Sequence, residues 1–123
     1  MDIDLCHYLY AIEFSDRVVK VGRTCRLNAR FKEHEREARK IHPDMKIQSR
    51  WVSFGFPDAA AGRAERALIA LCKAKWPVAQ GQEFFDAPFD EVVDLGFELD
   101  EAYRPTRLAL QGRPQDTPAR TAA

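Results

Sequence analysis

In this chain of 123 residues Tyr10, Lys20, Arg30, His34 and Glu65 form a spaced set of the side-chain types that phosphodiester chemistry uses. Hydrolysing a phosphodiester requires a nucleophilic water, a place for developing charge and help for the leaving oxygen. A divalent metal can supply the last two together. Hard cations of the magnesium type prefer oxygen ligands and keep several waters, so one carboxylate can suffice. Glu65 is the candidate ligand. Arg30 offers an always-charged planar fork that matches a phosphate. His34, four residues on, shares its side of a helix and can orient water or shuttle a proton. Tyr10 and Lys20 are candidate bases where metal or neighbouring cations depress their pKa. Each also has a plainer role: a cross-strand aromatic, a solvated lysine, surface charges, a semi-buried helix histidine.

These residues need a scaffold to bring them together. Residues 7–14 alternate with period two, placing Tyr8, Tyr10, Ile12 and Phe14 on one face of a strand. Residues 15–17 read as a turn and 18–22 as the returning strand of an antiparallel hairpin. Tyr10 and Lys20 can serve one site only if they share a face. That requires an odd loop centred on Asp16, with Ile12 opposite Lys20 and Tyr10 opposite Gly22. Over 26–41, Leu27, Phe31, His34, Ala38 and Ile41 form a helical stripe. Thr24 is placed to cap that helix, Glu35 and Arg39 pair on its outer side, and Pro43 lies beyond it. Residues 47–56 read as a third strand. An alanine-rich helix over 59–76 follows, with Asp58 as N-cap and a stripe of Ala61, Ala64, Leu68, Leu71 and Cys72. A short extended piece follows Gly81, and 88–95 reads as a third helix. The expected fold is a small α+β domain over 1–103, a three-stranded antiparallel sheet with flanking helices in the order ββαβαα. Residues 104–123 form a basic tail, unstructured from about 106.

The ordered set resembles the GIY-YIG nuclease superfamily. The G-I-Y half stands as Tyr8-Leu9-Tyr10, and the Y-I-G half as Lys20-Val21-Gly22. Glycine, one residue and threonine follow as Gly22-Arg23-Thr24. The family's R-x-x-x-H helix is matched by Arg30 to His34, and its metal-binding glutamate by Glu65. A phage and bacterial branch carries K-I-G in place of Y-I-G and a later G-x-x-[WY]-F segment. Lys20-Val21-Gly22 and Gly81-Gln82-Glu83-Phe84-Phe85 look like that branch. The resemblance covers roughly 7–95. It implies a GIY-YIG-like fold and a metal-dependent DNA endonuclease using magnesium, with manganese as a substitute. Tyr10, Lys20, Arg30, His34 and Glu65 would be catalytic and Glu65 the metal ligand, while the helix at 26–41 and the link before it would present Arg23, Thr24, Arg26 and Lys32 to nucleic-acid phosphates. The chain departs from the family pattern at Tyr8, where the family has glycine, and at Lys20. The family's late phosphate-contacting asparagine has no counterpart, because the only asparagine is Asn28. Gln80, Gln82 or Glu83 would take that role.

Charge distribution agrees with a polyanionic partner. Net charge is zero, yet residues 17–40 hold nine basic and three acidic side chains. Local charge density governs attraction to phosphate over a Debye length of about 8–10 Å. Residues 51–103 carry ten acidic and four basic residues. Two rivals to the nuclease are therefore a catalytically inactive DNA-binding module of the same fold and a protein-interaction domain using the acidic 83–101 surface. Cys6, Cys25 and Cys72 are an odd, scattered set, which points away from a disulfide scaffold and toward a reducing, cytoplasmic setting. The cysteines and histidines lack paired zinc-ligand spacing. The acidic N-terminus does not read as a secretory signal, and no apolar run reaches the roughly 18 residues of a membrane span, so no membrane partner is expected.

Overall fold

The structure, a computed structural model, describes residues 6–81, 83–111 and 120–122. In chain order the elements are β1 (His7–Phe14), β2 (Val19–Thr24), α1 (Leu27–Arg39), β3 (Ile47–Phe56), α2 (Asp58–Lys75), β4 (Val78–Gln80), β5 (Phe84–Phe85), α3 (Phe89–Gln111) and β6 (Arg120–Ala122). The strands form one antiparallel sheet in the order β4-β5-β2-β1-β3-β6. The class is α+β, but the three-stranded ββαβαα expectation is too small. Strands β4 and β5 are three and two residues long, too short for period two to register. Strand β6 lies in a segment with little apolar content and pairs Arg50 with Thr121 on the outer edge of β3. Helix α3 runs to Gln111 rather than ending near 95. Of the expected tail, 104–111 continues this helix, and 112–119 lie outside the described residues.

The β1–β2 turn sets the register on which the site depends. Phe14 N–H donates to the Val18 carbonyl at 3.0 Å, and Arg17 N–H to the Phe14 carbonyl at 2.9 Å. Arg17 takes the left-handed conformation, φ 72°, and Asp16 Oδ1 accepts the Val18 N–H at 3.1 Å. A three-residue hairpin loop typically has this form, a tight turn closed by a left-handed residue. The odd loop pairs Ile12 with Lys20 and Tyr10 with Gly22, as a shared site requires.

Each face of the sheet carries its own core. Leu9, Ala11, Val19, Val21, Trp51 and Phe85 pack with Ala61, Ala64, Leu68 and Cys72 of α2 and with Val92 and Val93 of α3. The opposite face presents Tyr10, Ile12, Phe14 and Ile47, which pack with Phe31 of α1 and Met45. Phe31 is the one buried residue of α1 among those described; Leu27 and Ala38 only border this core. Ile41 is 66% exposed because α1 stops at Arg39, two residues short of the end of the expected stripe. Leu71 is likewise exposed, and Ala60 and Gly62 are buried in α2. Small side chains there let α2 lie close to the sheet. Asp58 begins α2 rather than capping it, since the N-cap is Pro57. The Thr24 hydroxyl accepts the Arg26 N–H at 3.0 Å in a turn just before α1, whose N-cap Arg26 has no side-chain cap bond. Cys6, Cys25 and Cys72 form no disulfide among the described residues. Among the described residues no helix is long and apolar enough to cross a membrane.

Candidate active site

Tyr10 and Gly22 face each other across β1 and β2. A Cβ at position 22 would stand 2.6 Å from the Tyr10 hydroxyl and 2.8 Å from its Cζ. The glycine therefore makes room for the phenol to lie over the neighbouring strand toward α1. There the Tyr10 ring meets Phe31 edge-on at 5.3 Å, and its hydroxyl is 2.7 Å from His34 Nε2. Tyr10 and His34 are thus brought together by one opposed strand pair and one turn of helix.

The electrostatics keep both partners neutral near pH 7. Burial pushes the Tyr10 phenol up to about 12, against the pull of the neighbouring Arg30 guanidinium. Burial also pushes His34 down to about 4, helped by the positive charges of Lys20 and Arg30. A buried phenol beside a neutral imidazole can donate its proton to the ring nitrogen.

Lys20 is 3% exposed. Its Nζ contacts Glu83 Oε2, donates to the Val21 carbonyl at 3.0 Å, and lies 5.3 Å from the centre of the Phe84 ring. The pairing of Phe84 in β5 with Lys20 brings up the Phe84 ring and, one residue before the strand, Glu83. Burial lowers the Lys20 pKa, and the Glu83 carboxylate opposes that shift. Of the three residues considered for the missing asparagine, Glu83 is thus bound to Lys20. Gln82 and the Gln80 side chain lie outside the described residues.

An open cleft of about 360 Å³ is lined by Arg23, Thr24, Arg26, Arg30, Glu33 and Glu65 among others; Tyr10, Lys20 and His34 are not in its lining, and Arg30 connects it to Tyr10. The start of β1, the end of β2, the link after it, α1 and α2 converge there. Arg30 bonds Glu33 Oε2 at 3.0 Å, and Tyr10 beside it raises its pKa further, so it stays cationic. Arg23 is committed to two carboxylates, with NH1 2.7 Å from Asp58 Oδ1 and Nε 3.5 Å from Glu65 Oε1. Arg23 therefore holds Glu65 as well as Asp58. Lys32 does not reach this cleft; it lines a second one on another side of α1. Asp58 entered the sequence reading only as a cap, and its ionic role comes from the loop that sets it beside Arg23.

Among the described residues no cluster of three or more His, Cys, Asp or Glu side chains could hold a metal. The donor set still fits a hard cation that keeps most of its waters. Glu65 presents a carboxylate, 22% exposed, to an open and water-accessible cleft. The same set lacks the several nitrogen or sulfur ligands that zinc requires. No protein-family model, curated protein or solved structure matches the chain.

Proposed function

We propose that the chain is a metal-dependent DNA endonuclease of the GIY-YIG type, hydrolysing a phosphodiester held in the cleft between β2, α1 and α2. One observation carries the reading. The same fold that sets the Tyr10 hydroxyl 2.7 Å from His34 Nε2 also gathers Arg23, Thr24, Arg26, Arg30 and Glu65 around one cleft. Arg30 lines the cleft and stands beside Tyr10, and that link between the cleft and the Tyr10–His34 pair supports the reading.

In this reading Arg30 faces a non-bridging oxygen and stabilises the charge that grows there. Arg26 and the Thr24 segment fix the position of the neighbouring backbone. Tyr10 takes the proton of the attacking water as it passes its own to His34 Nε2, so the phenol never carries a full charge. A phosphodiester bound at Arg30 would offset the positive charge that disfavours the His34 imidazolium, since an opposite charge raises the pKa of a base. Lys20, buried and held by Glu83, adds positive potential to the same face. Glu65, paired with Arg23, would hold magnesium or manganese, which when bound supplies charge stabilisation and leaving-group help.

The test is nicking of supercoiled plasmid with magnesium, with manganese and with EDTA. The reading expects cleavage in both metals and none in EDTA. DNA binding without cleavage under any metal would reduce the chain to the inactive binding module. Salt-insensitive binding to a protein and none to DNA would favour the acidic interaction surface.

A further inference from the structure

The second cleft, of about 390 Å³, lies beside the opposite flank of α1 and is lined by Asn28, Phe31, Lys32, Glu35, Ile47 and Arg50. Its charges are unequally satisfied. The single carboxylate, Glu35, is taken up by the Ile47 N–H at 2.8 Å and by Arg39 at 3.8 Å. Neither Lys32 nor Arg50 has an ion-pair partner among the described residues. Most other cations near α1 do have one: Arg23, Arg30, Arg39 and Lys40 each face a carboxylate. Arg50 is also held in place. It extends from β3 opposite Ile12, and its guanidinium carbon lies 5.9 Å from the centre of the Phe31 ring. A guanidinium laid on an aromatic face is pre-oriented, so less freedom is lost when it binds an anion.

We propose that this second cleft is a phosphodiester-binding site, in which Arg50 and Lys32 grip the backbone of the same nucleic acid that is cut in the first cleft; the inference rests on the nuclease reading. The helix between the clefts supports the geometry. Residues 26, 30 and 33 face one cleft, and 28, 32 and 35 the other. An α-helix with its side chains is about 10–12 Å across, close to the roughly 12 Å width of a B-DNA major groove. Phosphates on the two sides of α1 are therefore spaced like those of opposed strands. The sequence pattern alone assigns Lys32 to the first site because it shares a charge-dense segment with Arg30. Only the helical rotation separates them, and only the β1–β3 pairing brings Arg50 alongside.

The test measures the salt dependence of binding in EDTA, where no cutting occurs, with a short duplex and with its single strand as probes. Arg50→Met keeps the apolar stem over Phe31 and removes the charge. It should lower the slope of log K against log salt by roughly 0.9 on duplex or 0.7 on single strand. Arg50→Lys should retain most of the slope, and Lys32→Met should add a second decrement of similar size. A decrement on duplex alone assigns the site to the second strand; a decrement on both assigns it to a continuous single backbone. Hydrolysis of a small chromogenic phosphodiester, which fills only the first cleft, should be unchanged in Arg50→Met. An unchanged salt slope in Arg50→Met, with the parent still binding and cutting, would overturn the second site and leave the nuclease reading intact. Loss of small-diester hydrolysis in Arg50→Met would overturn it too, by assigning Arg50 to the first cleft. A parent that neither binds nor cuts DNA would remove both.

Discussion

Replacing Gly22 by alanine should unseat the Tyr10 ring, and the size of the effect follows from three distances. The new Cβ would stand 2.6 Å from the Tyr10 hydroxyl, whereas ordinary contact begins near 3.4 Å. One of the two must move by nearly 1 Å. Tyr10 cannot move freely, being 1% exposed, with Phe31 against its ring and His34 at its hydroxyl. A shift of that size stretches the 2.7 Å contact beyond hydrogen-bonding range. Overpacking of this kind costs about 1–3 kcal/mol, and the broken hydrogen bond about 1 kcal/mol more. The expected destabilisation is therefore about 2–4 kcal/mol, or roughly 8–16 °C in Tm for a domain of this size. Urea unfolding of Gly22→Ala, Tyr10→Leu and the double variant measures it. Tyr10→Leu removes the ring, so adding Gly22→Ala to it should cost less than about 1 kcal/mol, leaving a coupling of about 2 kcal/mol. Equal destabilisation by Gly22→Ala in both backgrounds would refute the close-approach account of this glycine.

His34 makes stability depend on pH in a defined window. Its folded pKa, about 4, lies below the ordinary 6.5. The contribution is therefore complete above about pH 6.5 and is lost as pH falls toward 4, by at most about 3 kcal/mol. Unfolding of His34→Gln across that range should show a correspondingly flatter profile, and an identical profile would contradict the neutral imidazole. Lys20→Met removes a charge that is almost fully buried, while its partner Glu83, 40% exposed, can rehydrate. Stability should change by less than about 1 kcal/mol or improve, while plasmid nicking falls; a large loss of stability would make Lys20 chiefly structural.

Much of this arrangement is legible in the sequence because it rests on local periodicity. Period two in 7–14, and the β-branched and aromatic content of 47–56, match β1 and β3 at both ends. The demand that Tyr10 and Lys20 share a face selects the observed odd register. Local pattern fails where long-range pairing decides. Strands β4 and β5 form because Phe84 and Phe85 find β2 across more than sixty residues, and nothing in two residues announces that partner. Helix α3 runs past 95 through a stretch that includes Pro105, where composition reads as tail. Arg23 illustrates the same limit within the site. Its charge is plain in the sequence, but its engagement with Asp58 and Glu65 depends on how α2 crosses the end of β2.

Glu65→Gln tests the central claim most directly. The substitution keeps size and polarity and removes the charge that would hold the metal. Its one ionic partner among the described residues is Arg23 at 3.5 Å, a long contact with both side chains partly exposed, so stability should change by about 1 kcal/mol or less. The measurement is the rate of plasmid nicking by parent and Glu65→Gln across a magnesium titration, with melting and DNA binding followed in parallel. The account expects a variant that melts and binds DNA nearly as the parent does, nicks about 100-fold more slowly or worse, and recovers in part as magnesium is raised. Arg30→Ala in the same series should be comparably slow and gain nothing from added metal. Parent-level nicking by Glu65→Gln would contradict the account by excluding Glu65 as the ligand.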